Sequence, residues 1–214
     1  MHSRQLSSLD RLLGVVDNAL KTASSGTATG RRANPAADIP EPPLADSDRR
    51  RAAGLMRVNH AGEVAAQALY QGHAVMARDP ATARHMREAA AEEHDHLVWC
   101  EQRLRELRSG PSRLCPLWYA GAFAIGAASG VLGDRWSLGF VAETERQVAD
   151  HLQDHLQRLP ADDTRSRAIV QQMREEEAAH GKQAEQRGGT PLPPPLRKLM
   201  QASAQLMKRS AYWL

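Results

Sequence analysis

Apolar residues recur at intervals of three and four along four stretches, about 48–77, 80–108, 134–159 and 162–187, with charged residues on the positions between. That periodicity predicts four long amphipathic helices. Their ends carry clear stop and start signals. Asp79-Pro80 opens the second, Ser109-Gly110-Pro111 closes it, Pro160-Ala161-Asp162 separates the third from the fourth, and Gly188-Gly189 ends the fourth. A shorter helix is predicted over residues 4–21, where Leu6, Leu9, Leu12, Leu13, Val16 and Leu20 share one side. After it, Gly26, Gly30, Pro35, Pro40, Pro42 and Pro43 stand among Ser, Thr and Ala, a composition that cannot sustain a helix. The chain therefore divides into an N-terminal amphipathic helix (1–25), a flexible linker (26–47) and a main domain (48–214), whose first helix Ser47 or Asp48 can cap.

Between the second and third long helices, Leu114 to Gly133 holds no charged residue across twenty positions. Its length would allow a membrane span. With four glycines, a proline and five alanines it is weakly apolar, and a buried or interfacial helix is the preferred reading. Trp118, Tyr119 and Phe123 near its start would suit the level of lipid headgroups. Beyond Pro191-Leu192-Pro193-Pro194-Pro195, a last helix sets Leu196, Leu199, Met200, Leu206 and Met207 on one side, flanked by Arg197, Lys198, Lys208 and Arg209 and ending in Tyr212 and Trp213. Such a helix can lie on an anionic membrane, or cover the bundle, or both. Four helices with two short connections and one long crossover predict an all-α, ferritin-like four-helix bundle carrying an uncharged crossover helix and a C-terminal amphipathic helix.

Composition narrows the function. Aromatic residues are only 4%, and 24 of the 28 basic residues are arginines mixed with acids along most of the chain. Interspersed charge describes solvated helix faces, and no basic stripe or nucleic-acid reader motif is present, so a nucleic-acid partner is not expected. Two cysteines, Cys100 and Cys115, without a CxxC pair, exclude a disulfide scaffold and a cysteine zinc site. The N-terminal region lacks a secretory signal, and reduced thiols in a cytoplasmic compartment are expected.

Two Glu-x-x-His pairs, Glu93/His96 and Glu177/His180, lie on the second and fourth helices. Residues three apart are helix neighbours, so a carboxylate and an imidazole can meet one metal ion. Chance weighs against the bare motif: 13 glutamates and 9 histidines predict about 0.5 such pairs. Helical phase strengthens it. One pair falls on the line Met86, Ala89, Glu93, His96, Cys100, the other on Val170, Met173, Glu177, His180, Ala184. Both therefore face the core, whereas Glu92, Glu175 and Glu176 fall off the apolar lines. On the third helix Glu145 interrupts the apolar stripe Leu138, Val141, Val148, Leu152. On the first, Glu63 is the only acid between Arg49 and Asp79 and shares a face with Met56, His60, Gln67 and Tyr70. Glu63 stands 30 residues before Glu93, and Glu145 stands 32 before Glu177, so the domain reads as two similar halves. A buried, uncompensated carboxylate costs several kcal/mol, which calls for cations. Four carboxylates and two neutral imidazoles are balanced by two divalent ions. Oxygen-rich ligation suits iron, with manganese open, better than zinc or copper. Of the remaining histidines, His73, His85 and His94 are expected to face solvent, while His60 and His155 are expected in the core, with His60 able to orient Glu63.

The runs Val58-Asn59-His60-Ala61-Gly62-Glu63, Glu92-Glu93-His94-Asp95-His96-Leu97, Glu143-Thr144-Glu145 with His151 six residues on, and Glu175-Glu176-Glu177-Ala178-Ala179-His180 resemble the demethoxyubiquinone hydroxylase family of ubiquinone biosynthesis, over about residues 48–214. The resemblance implies a di-iron site of Glu63, Glu93, His96, Glu145, Glu177 and His180, with Glu93 and Glu177 bridging and His151 behind them. A tyrosine that follows this histidine in some members is Leu152 here. It further implies an O2-dependent monooxygenase, with NADH as electron source, that hydroxylates a polyprenyl methoxy-methyl-benzoquinol. The setting would be peripheral, on the cytoplasmic face of the cell membrane, with room for partner proteins of ubiquinone biosynthesis and for a homo-oligomer. Rivals come from other classes. An iron-storage or ferroxidase protein would have no use for a chargeless crossover and a basic tail helix, a peroxide-reducing relative with an added cysteine-ligated iron is excluded by the cysteine count, and a metal-free membrane adaptor must explain four inward glutamates without a cation.

Overall fold

Side-chain caps start two of the helices in the computed structural model, which describes residues 30–41 and 43–214. The first bundle helix begins at Asp46 behind Ala45 with no side-chain cap, so Ser47 and Asp48 lie inside it rather than capping it. The helix expected over residues 4–21 lies outside the described residues. Asp79 accepts hydrogen bonds from the amides of Ala81 and Thr82 ahead of Pro80, and Asp163 does the same for Ser166. These side chains satisfy amides that have no partner in the first turn of a helix. The helices are α1 (Asp46–Met76), α2 (Pro80–Glu106), α3 (Cys115–Val131), α4 (Asp134–Arg158), α5 (Thr164–Gln186) and α6 (Pro194–Trp213). The four long helices and the crossover begin and end within a few residues of their predicted limits.

Antiparallel α1 and α2 form one half of the bundle, and α4 and α5 the other. With α3 as the crossover between them, this is the ferritin-like arrangement that the connectivity predicts. Two apolar layers fill the interior. One gathers Leu55, Met56, Trp99, Cys100, Leu104, Leu152, Ile169 and Met173, and the other Tyr70, Met86, Leu138, Val141 and Ala184. Arg103, fully buried at the end of the first layer, is paired to buried Asp163 at 2.9 Å.

The crossover α3 lies close along α1 because both helices carry glycine where they meet. A Cβ on Gly72 would stand 2.7 Å from the Ala127 amide nitrogen, and one on Gly126 would overlap the Leu69 backbone. Its aromatic residues do not all take the place expected of them. Trp118 and Tyr119 turn onto the bundle, the Tyr119 hydroxyl donating to Gln71, while Leu117, Ile125, Val131 and Leu132 remain exposed. Among the described residues no helix is long and apolar enough to cross a membrane.

The apolar arc of α6 is wide enough to serve two surfaces. Leu196 and Met200 pack beside Phe140 and Leu192, Ala211 is buried, and Tyr212 covers Gly54. Leu199, Leu206 and Trp213 are left exposed. Ahead of α1, the described residues of the stretch expected to be a linker, 30–41 and 43–45, contain no helix, and from Gly30 onward they run as a strap along α2 and α5. Ala36 is buried, Asn34 donates to Gln102, and Glu41 meets Arg103 and Arg165.

His73 differs from expectation. It is fully buried rather than in solvent, with Nδ1 2.9 Å from the Ser129 hydroxyl of α3. From α1 alone its face looked free; the crossover covers it.

Candidate metal centre

Each of the four bundle helices brings one carboxylate to the level between the two apolar layers: Glu63 on α1, Glu93 on α2, Glu145 on α4 and Glu177 on α5. None is more than 2% exposed. They reach a common level because each stands about two turns from an apolar anchor above and below it, as Glu93 does between Met86 and Cys100. His96 and His180, one turn along from Glu93 and Glu177, point to the same place.

The six predicted residues therefore meet. His96 Nδ1 is 3.0 Å from Glu93 Oε2, 3.0 Å from Glu177 Oε1 and 3.8 Å from Glu63 Oε2. His180 Nδ1 is 3.1 Å from Glu93 Oε1 and 3.5 Å from Glu177 Oε2. Glu93 and Glu177 thus each turn one oxygen to either imidazole. Ligand atoms of Glu63, Glu93, His96 and Glu177 all lie within 4.8 Å of one another. Glu145 completes the ring next to Glu177 and accepts a 2.6 Å hydrogen bond from the buried Tyr70 hydroxyl.

The donor set fits metal ions. Glu93 Oε1, Glu145 Oε2 and both oxygens of Glu177 are buried with no hydrogen bond of proper geometry, and His180 Nδ1 likewise. Among the described residues no lysine or arginine forms an ion pair with any of the four acids. Buried oxygens facing inward without donors are what two cations would satisfy. The titration balance is consistent with this. Burial pushes the Glu63 and Glu145 carboxyls well above the usual range. Burial opposes ionisation of Glu93 and Glu177 as well, yet the neighbouring imidazoles outweigh it and hold both below the usual range. Burial works against charge on His180 too, but Glu177 and Glu93 push it up to about 12.

The outward nitrogens are also engaged, and crosswise. His96 Nε2 is 2.6 Å from Glu176, the residue before Glu177, and His180 Nε2 is 2.7 Å from Glu92, the residue before Glu93. Each helix thus braces the imidazole of the opposite half and leaves Nδ1 facing inward. Glu92, Glu176 and Tyr70 were not singled out by sequence. The two acids do fall off their own apolar lines, as their phase requires, and only the packing of α2 on α5 shows what lies across from them. Tyr70 shares a face with Glu63, which was the one available signal.

The other candidate histidines sit apart. His151 is half-buried, its ring edge-on to His155 at 5.0 Å, and its buried Nε2 has no hydrogen-bond partner. His155 is bonded to Asn59 at 2.7 Å. His60 lies 4.0 Å from Glu101 and 3.8 Å from the Cys115 sulfur, and its bonding is not to Glu63.

Residues 50–211 match the family model described as ubiquinone biosynthesis protein COQ7. The chain belongs to this family. A relative named 3-demethoxyubiquinol 3-hydroxylase from Ralstonia pickettii is 56% identical, covering 95% of this chain and 99% of the relative. One of the same name from Bordetella avium is 56% identical over 99% of this chain and 97% of its own. Another, from Nitrosococcus oceani, is 51% identical over the whole of both chains. Membership of the COQ7 family places a ferritin-like bundle and a buried glutamate and histidine cluster in the company of hydroxylases of nearly identical length.

Proposed function

We propose that this chain is an O2-dependent 3-demethoxyubiquinol 3-hydroxylase, acting on the ring of a polyprenyl methoxy-methyl-benzoquinol in ubiquinone biosynthesis. The observation that carries the reading is four buried carboxylates and two inward imidazoles converging between apolar layers, in a chain whose relatives bear that name. Glu63, Glu93, His96, Glu145, Glu177 and His180 would hold two iron ions, with manganese the alternative. Iron held by these residues would supply the one-electron chemistry that lets O2 react. Overall, one oxygen atom would replace a ring hydrogen as hydroxyl and the other would leave as water, with two electrons, ultimately from NADH, and two protons consumed. No GxGxxG run is present, so electrons are proposed to enter through the quinol rather than at a dinucleotide fold.

The chain's own residues do the rest. The two apolar layers keep water from the carboxylates, which strengthens every charge interaction among them. Tyr70 holds Glu145, and Glu92 and Glu176 fix the imidazoles with Nδ1 inward. His151, half-buried and edge-on to His155, stands apart from the six ligand residues and carries no step of the reaction.

A polyprenyl substrate stays in the bilayer, so the enzyme must come to it. Exposed Leu117, Ile125 and Val131 on α3, Leu132 just after it, and Leu199, Leu206 and Trp213 on α6 give apolar surface for that contact, with Arg197, Lys198 and Arg209 beside it. We place the protein peripherally, on the cytoplasmic face of the membrane.

The test is metal analysis with a quinol product assay on the wild type, Glu177→Gln and His96→Ala. Two irons and hydroxylated product are expected for the first. Lower stoichiometry and no product are expected for the variants. Full activity in either variant would refute the site.

A further inference from the structure

The two braces on the imidazoles are unequal. Glu92, which holds His180, is 57% exposed along its side chain, and among the described residues no lysine or arginine is paired with it. Glu176, which holds His96, is 19% exposed and is itself held. Arg32 Nη1 donates to Glu176 Oε1 at 2.6 Å, and Gln172 donates to the same oxygen at 2.6 Å. Arg32 comes from the strap ahead of α1, outside the residues that match the family model.

Its own position is fixed on three sides. Arg32 Nε donates to buried Asp95 at 2.9 Å, the Arg31 amide donates to the other oxygen of Asp95 at 2.6 Å, and the guanidinium lies 4.8 Å over the Trp99 ring. Trp99 in turn packs against the His96 ring at 5.3 Å between centroids. A planar fork that satisfies two carboxylates and a ring face at once is a task for arginine that lysine cannot copy. On the far side of Glu176, Oε2 meets His96 Nε2. A chain of contacts therefore runs from the strap through Glu176 to the imidazole.

We propose that Arg32 is a positioning residue for the metal centre, acting through Glu176 to fix His96, so that the strap makes one of the two metal positions more tightly held than the other. The inference rests on the di-metal reading above. Partners behind a metal-bound histidine are worth roughly 10- to 100-fold in affinity, which sets the size of the effect.

The experiment loads the full chain with two cobalt(II) or iron(II) ions and follows their removal by a chelator, together with the cobalt optical spectrum. In Arg32→Ala, one of the two ions should leave about tenfold faster, with a changed spectrum, while the second leaves at the wild-type rate. Arg32→Lys should fall between. Asn34→Ala, which loosens the strap at Gln102 without touching Glu176, should match the wild type. In a Glu176→Gln background, Arg32→Ala should add nothing.

Wild-type release and spectrum in Arg32→Ala would overturn the proposal. So would an equal effect from Asn34→Ala, or a full further tenfold loss on top of Glu176→Gln. A wild-type chain that takes up no metal would overturn the metal-centre reading itself, a result distinguishable from these.

Discussion

At the scale of single residues, the six side chains of the cluster set how protons and metal ions compete. Burial favours the protonated forms of Glu63 and Glu145, and the flanking carboxylates, against the opposing effect of burial, favour the charged forms of His96 and His180. Two protonated acids, two carboxylates and two imidazolium rings sum to zero, the same balance that two divalent ions give with all six groups deprotonated or neutral. Loading both ions at neutral pH should therefore release roughly four protons, which calorimetry in buffers of different ionisation enthalpy would measure. Metal affinity should fall as pH falls; release of no protons would contradict the cluster's charge balance. His73 makes a separate prediction. Burial lowers its pKa to about 4 from the ordinary 6.5, so the unfolded chain takes up this proton first. Its share of stability is full above about pH 6.5 and is lost as pH falls toward 4, by up to about 3 kcal/mol. Urea unfolding of His73→Gln across that range should show a shallower acid slope than the wild type, and an unchanged slope would count against the buried ring.

At the scale of elements, the crossover shows why composition mattered more than hydrophobicity. A segment of glycine and alanine without charge reads equally as a weak membrane span or as a closely packed helix. The glycines of α1 and α3 decide for close packing, because backbone meets backbone at Gly72 and Gly126. Gly72→Ala should destabilise the fold by about 2 kcal/mol in chemical denaturation, since the neighbour is main chain and cannot give way. Gly121→Ala on the facing helix α3, where an added Cβ meets nothing within 4 Å, should be neutral or stabilising by up to about 1 kcal/mol. Equal effects would show that conformational preference, and not contact, governs this pair. The last helix teaches a related lesson. Its apolar positions look like one face in sequence, yet Leu196 and Met200 belong to the core while Leu199 and Leu206 face outward.

At the scale of the whole molecule, the distribution of exposed apolar residues defines how the membrane reading should be tested. Removing α6 outright would uncover Gly54 and the pocket where Ala211 sits, so loss of binding would be confused with loss of fold. Replacing Leu199, Leu206 and Trp213 with serine spares those contacts. The triple variant should keep its melting temperature and bind anionic vesicles roughly tenfold more weakly or less still, by sedimentation at moderate salt. Unchanged sedimentation would remove α6 from the membrane contact.

Helical phase was enough to put Glu63, Glu93, His96, Glu145, Glu177 and His180 on the inward faces of their helices, because a carboxylate on an apolar line is conspicuous wherever the helix packs. The same periodicity and the stop signals were enough for the four long helices and their connectivity. What lies opposite a residue is not written in its own helix. Glu92 and Glu176 brace imidazoles on the other half, His73 is covered by a crossover 56 residues away, and Arg32 reaches the site from the strap, because each partnership depends on how separate helices and segments come to rest against one another. Local pattern determines which side chains face inward; only packing decides which of them touch.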